Sequence, residues 1–192
     1  MPAQLLQKIV DNTHMALLLH SELSTIMLFL GLRGYHMQHE YQIADESLML
    51  RRVKKYIIET YGIYILDEVP ESANLAEPLI GNKQRGKVSQ AEILEILQKS
   101  WRAYESWEKS TIAKLSEIAT ALFDIKEINA YSFVASIIAE VQKELNILTG
   151  IILEFELHEW DMAQIVAEQA MLAEKYRKKL DKMKAGSELW KV

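Results

Sequence analysis

His20, Glu46, Glu108 and Glu144 come from four separate stretches of the chain, and each falls on or beside an apolar stripe of a would-be helix. At ~100° per residue, Ala130, Phe133, Ile137, Val141, Leu148, Ile151 and Phe155 share one face, and Glu144 lies within it. Leu94, Leu97, Trp101, Tyr104, Ile112, Leu115, Ala119 and Leu122 make a second stripe, interrupted by Glu108. Ile43, Leu50, Val53, Ile57, Tyr61 and Tyr64 make a third, carrying His39 and Glu46. Leu5, Ile9, Ala16, Leu23, Met27 and Leu30 make a fourth, with His20 beside it. Glu105 and Glu140 lie at stripe edges. An isolated carboxylate in an apolar interior costs several kcal/mol unless it is protonated, paired or bound to a cation. Carboxylates and imidazoles facing one another across helices are a ligand set for one or two divalent cations. A single glutamate at a stripe edge, such as Glu105 or Glu140, is more simply a boundary residue reaching for water. A lone histidine on an apolar face is more simply a hydrogen-bonded core residue. The coincidence over four helices is what favours metal.

The elements that would carry these residues are helices. With 7 Gly and 3 Pro in 192 residues, the chain has few of the turn residues that sheets require. Pro2 suits a helix start, apolar spacing continues from Leu5 to Leu32, and Gly34 is a natural stop. A second helix is expected from about Gln38 to Leu66, ended by Asp67-Glu-Val-Pro70. Residues 68–88 form the long connection. Ser89-Gln-Ala-Glu92 is a capping box that opens a third helix running to about Phe123. Asp124-Ile-Lys-Glu127 has similar logic and begins a fourth, which reaches about Leu157 after a very short turn. A fifth amphipathic helix is expected from Glu159 to Lys184, with Trp160, Ile165, Met171, Leu172, Tyr176 and Leu180 apolar. A polar tail ends near Trp190.

Loop lengths then fix topology. Two short turns make two antiparallel helix pairs. The 68–88 connection reaches up to ~70 Å at about 3.3 Å per residue, whereas a ~28-residue helix is ~42 Å long. It is long enough to cross a bundle end to end. The expected fold is all-α: a four-helix bundle over 1–157 with one long crossover between its second and third helices. Residues 158–192 add a C-terminal helix and tail packed on the bundle or on an oligomer partner. Counting from the turns at 1.5 Å per residue puts Glu108 level with about residue 142, and offsets His20 from Glu46 by ~6 Å. One mid-bundle layer is thus expected.

Other features bound function. Net charge is −5 with no basic block, which gives no electrostatic footprint for DNA. No cysteine occurs, so thiolate sites and disulfides are excluded and a reducing cytoplasm is allowed. The N-terminus lacks signal-peptide features, no run is long enough to span a bilayer, and a cytoplasmic location is expected. His36-x-x-His39 followed by Glu40 has helical metal spacing, but straddles the expected turn and reads as surface. Glu154 with His158, Arg51-Arg52 with Lys54-Lys55, and Arg177-Lys178-Lys179 read as solvated faces. Trp101, Tyr104 and Trp107 read as packing. No phosphate loop, G-x-S-x-G or H-E-x-x-H is present.

The stretch KLSEIATALFDIKEINAYSFVASIIAEVQKEL (114–145) resembles the end of the third helix and most of the fourth in bacterial non-haem ferritins. NTHMALLLHSELSTIML (12–28) is similar to their first helix, and Arg33-Gly34-Tyr35-His36 to the loop after it in DNA-protecting mini-ferritins. The resemblance covers about residues 5–157. It implies a bundle that binds two irons, oxidises Fe(II) with O₂ or peroxide, and assembles into a hollow shell. By that alignment Glu22 takes the place of the first carboxylate ligand, although periodicity turns it outward and His20 inward. Glu140 and Glu108 match the acidic positions of the last two helices. The family's Glu-x-x-His signature is absent from the chain, and Phe29 stands where the mini-ferritins carry a histidine.

Two readings follow. In the first, His20, Glu46, Glu108 and Glu144 ligate iron (a di-iron pair among the possibilities) or manganese in a homo-oligomer. Glu140, Glu105 and His39 lie nearby, and Tyr61 or Tyr104 donates hydrogen bonds. In the second, the bundle is metal-free and serves as an oligomeric structural or interaction module through its fifth helix.

Overall fold

Apolar residues recurring every three to four positions carry nearly all of the chain into helix. A computed structural model describes residues 2–66 and 73–186. These residues form α1 (Pro2–Phe29), α2 (Arg33–Tyr61), α3 (Ala76–Ile80), α4 (Gln90–Asp124), α5 (Ile128–Leu157), α6 (Met162–Ala167) and α7 (Gln169–Gly186). Among the described residues there is no strand. The expected stop at Asp67–Pro70 and the tail near Trp190 lie outside them.

Several boundaries differ from the sequence expectation, each for a local reason. Gly31, not Gly34, closes α1: at φ 81° it lets Leu32 N–H donate to Met27 O (2.9 Å) and its own N–H to Leu28 O (3.1 Å). Those two bonds satisfy carbonyls that the helix end would leave open. Gly34 lies inside α2. A Cβ there would come within 2.7 Å of Leu172 Cβ and 2.8 Å of Gln169 O, so close approach explains this glycine. α2 therefore begins five residues earlier than Gln38, and ends at Tyr61 before Gly62 (φ 65°), not at Leu66.

The capping box is present: Ser89 N–H donates to Glu92 Oε2 (2.9 Å) and Glu92 N–H to Ser89 Oγ (3.3 Å). Asp124 makes no such cap. It ends α4, and Glu127 precedes α5 without a side-chain cap bond. The turn is closed by backbone, with Glu127 N–H on Leu122 O (2.9 Å) and Lys126 at φ 63°. A lysine in that conformation left no glycine for the sequence to show. The long connection carries the short helix α3. The single fifth helix is instead α6 and α7; Asp161 caps α6 by accepting from Ala163 N–H (2.9 Å). Of its expected apolar positions, Trp160, Ile165, Tyr176 and Leu180 are buried, whereas Met171 is exposed.

The chain divides into two units. The first comprises 1–15, 49–70 and 101–159. Its core is apolar: Leu6, Ile9, Val10, Val53, Ile57, Leu115, Leu122, Val134 and Ile137 are all at most 2% exposed. At ~25 cal/mol per Å², burial of this kind is the main force holding helices together. The second comprises 16–48, 71–100 and 160–192, and its interior is more polar. Leu23, Ile26, Met27 and Leu97 are buried there beside His20, Ser24, Gln38, His39, Gln42, Ser100 and Gln169. Buried polar groups must find partners. Gln169 Oε1 accepts the N–H groups of Gly34 (2.9 Å) and Tyr35 (3.3 Å) in the first turn of α2. Its Nε2 donates to Ile165 O (2.9 Å).

Candidate metal centre

The four expected ligands divide between the units, Glu108 and Glu144 in the first, His20 and Glu46 in the second. Glu108 projects from the middle of α4 and is only 3% exposed. Its apolar neighbours on the stripe, Tyr104 and Leu115, are buried with it, so the helix face that packs the core also carries the acid inward. Burial, and then the charge of Glu144 on α5, push its carboxyl up to about 8. Both causes disfavour the anion. Glu144 is half-buried. At neutral pH the Glu108 carboxyl therefore keeps its proton.

The flanking acids have cationic partners. Glu105 is salt-bridged to Arg102 (2.9 Å) and Lys109 (2.7 Å), at i−3 and i+4 on α4. The Lys109 hydrogen bond is the largest cause holding its carboxyl below the usual range. Arg102 also pairs with Glu156. Glu140 is exposed and receives both ends of the Arg52 guanidinium, at 2.9 and 2.8 Å. Of the expected hydrogen-bonding tyrosines, Tyr61 donates to Glu127 Oε2 (3.3 Å), while Tyr104 packs its buried ring near Trp101.

In the second unit, His20 of α1 and His39 of α2 are 0% and 1% exposed. Their Nδ1 atoms face each other at 3.2 Å. Burial lowers His20 to about 3; burial, then the nearby His20 and His36, hold His39 well below its usual value. Both rings are therefore neutral at pH 7, one Nδ1–H donating and the other Nδ1 accepting. His36 does not straddle a turn as expected, because α2 starts at Arg33. Ser24 Oγ donates its one hydrogen to Glu40 Oε1 (2.6 Å), so His36 Nδ1, 2.8 Å from the same oxygen, must carry a proton and donate. Glu46 is half-buried on α2.

Glu22 has a different task from the one its alignment implies. Its carboxylate accepts the N–H groups of Ala73 (2.8 Å), Leu75 (2.6 Å) and Ala76 (2.8 Å), pinning the start of α3. Among the described residues, no group of three or more His, Asp and Glu side chains is arranged to hold a metal ion. Glu154 and His158 are exposed, as are Arg51, Arg52 and Lys55; Lys54 is half-buried. Sequence reasoning missed the Ser24–His36–Glu40 link, which no local spacing signals. It missed the Arg102–Glu105–Lys109 pairing as well, which i,i+3 and i,i+4 spacing could have signalled.

The chain is similar over 90% of its length to an open-pore ferritin from the hyperthermophilic archaeon Archaeoglobus fulgidus, with TM-score 0.72, 14% identity and 94% of that chain covered. It matches a closed form of that ferritin, engineered by site-directed mutagenesis, with TM-score 0.72, 15% identity and coverage of 90% and 94%. The fold is ferritin-like. No family model matches the chain, and no curated protein does. At such identity the likeness speaks of the ferritin-like fold, not of chemistry. The all-α architecture and the crossover expected from loop length belong to that ferritin-like plan. No helix among the described residues is long and apolar enough to cross a membrane.

Proposed function

We propose that this ferritin-like chain binds a divalent metal ion as cargo, iron first and manganese as its oxygen-seeking substitute, on Glu108 and Glu144. The observation that carries this reading is a glutamate 3% exposed in the packed face of α4, with a second carboxylate acting on it from α5. Glu108 keeps a proton in place of a charge on that packed face, a proton that a bound cation would replace. Two carboxylates offer up to four oxygen acceptor groups' worth of coordination, which with water suits one exchangeable hard cation. They do not suit a resident two-metal centre, because Glu105 and Glu140 are already neutralised by Arg102, Lys109 and Arg52. The chain's own residues bind and orient the ion, and Glu108 gives up its proton as the ion enters. The same reading makes the protein a homo-oligomer; Ile147, Leu153 and Leu157 on α5 are more than half exposed and apolar, as a contact surface would be.

A metal-free interaction module is the second reading, favoured by Val166 and Met171, apolar and more than half exposed on α6 and α7. Equilibrium dialysis of the full chain against Mn²⁺, and against Fe²⁺ under nitrogen, separates the two. About one ion per chain in the wild type, lost in both Glu108→Gln and Glu144→Gln, supports the metal reading. No retained ion, or equal retention in all three proteins, leaves the module. The rate of Fe(II) oxidation on admitting O₂, measured on the same samples, should fall in both variants.

A further inference from the structure

The paired imidazoles of the second unit carry an inference that neither Glu108 nor Glu144 enters. His20 and His39 approach through like atoms, Nδ1 to Nδ1 at 3.2 Å, with ring centroids 5.4 Å apart and planes inclined by 30°. An ion 2.0–2.1 Å from each nitrogen would subtend about 100–106° between them, close to the tetrahedral angle that Zn²⁺ adopts. Such an ion would lie about 37–40° off the line joining the two nitrogens, so both rings must turn from their present hydrogen bond to ligate it. We infer that His20 and His39 form a two-nitrogen site for a borderline divalent ion, Zn²⁺, Ni²⁺ or Cu²⁺, that oxygen-only sites do not select.

Imidazole nitrogen suits these ions, whereas carboxylate oxygen suits Mg²⁺, Ca²⁺ and Mn²⁺. The rings are neutral, which is the protonation state a metal ligand needs. Two coordinate bonds form from the two Nδ1 lone pairs. The one proton between the rings leaves Nδ1 and is carried on Nε2 of the same ring, so both imidazoles stay neutral and no net proton is released. The charge of the ion is balanced by carboxylates of the same unit. Glu40 is fixed 2.6 Å from Ser24 Oγ, and Glu46 lies two helical turns beyond His39 on the same face of α2, ~10.5 Å along the axis. Two positions of a tetrahedral shell would remain for water.

Cu²⁺ is the probe, because pulsed EPR counts coordinated imidazole nitrogens directly. With one equivalent of Cu²⁺, the full chain and the exposed-histidine control His158→Gln should each show two imidazoles, and His39→Gln one. No imidazole or a single one in the wild type overturns the inference, as do two that survive in His39→Gln. If circular dichroism shows that His39→Gln does not fold, ¹⁵N NMR of the wild-type histidine side chains with Zn²⁺ decides. Zn²⁺ should shift two Nδ1 resonances from rings protected against solvent. Shifts confined to Nε2 atoms, or to exposed His158, mean adventitious binding only and overturn it.

Discussion

Replacing Glu108 by glutamine keeps the side chain's size and removes one ionisable group from the face of α4. The wild-type carboxyl has an ordinary value of 4.5 in the unfolded chain and about 8 in the folded one. Between those two values the folded protein keeps a proton that the unfolded chain has lost, so stability falls as pH rises. Each pH unit across that window removes about 1.4 kcal/mol. The wild type therefore loses about 3 kcal/mol from this group by pH 7 and about 4 kcal/mol by pH 8, against nothing for the variant. Urea unfolding followed by tryptophan fluorescence, in EDTA at one protein concentration and at pH 5, 7 and 8, gives the difference between the two proteins. The variant should gain on the wild type at every step upward in pH. Saturating Mn²⁺ should erase its advantage at pH 8, because only the wild type binds the ion that replaces the proton. Parallel pH profiles for the two proteins would refute the placement of Glu108 in a dry, acid-facing position.

Other perturbations probe the frame around the site. Gly34→Ala pushes a methyl group to within 2.7 Å of Leu172 Cβ and 2.8 Å of Gln169 O, and should cost about 1–3 kcal/mol in thermal unfolding. Glu22→Ala strips three N–H groups around α3 of their acceptor; hydrogen exchange at 73–76 should accelerate, with a loss of about 1–3 kcal/mol. Arg52→Ala breaks a bidentate pair whose side chains are 42% and 49% exposed, and should change stability by no more than about 1 kcal/mol, less in high salt.

The helices and their connections were legible because burial imposes a period of 3.6 on every long element. The capping box at Ser89 was legible for a similar reason, since both partners sit three residues apart. Boundaries that depend on single backbone conformations were harder. Gly31 and Gly34 are three residues apart, and only packing against Gln169 and Leu172 tells the turn glycine from the close-contact one. The inward placement of Glu108 followed from its stripe, and so did the exposure of Glu140 at the margin. What the wheel could not assign was a partner. Arg52 reaches Glu140 across 88 residues, Glu22 reaches α3 across more than 50, and Ser24 links His36 to Glu40. Such pairings are set by tertiary packing, which a periodicity leaves open. Helical spacing put His39 on the stripe of α2, but the meeting of its Nδ1 with that of His20 depends on how α1 and α2 pack within one unit.

Anomalous diffraction at the manganese edge, from crystals of the full chain grown with Mn²⁺, tests the central claim most directly. The account predicts a peak within coordination distance of the carboxylate oxygens of Glu108 and Glu144. A map with no peak there, or with manganese bound only to exposed acids such as Glu140 or Glu154, would contradict it.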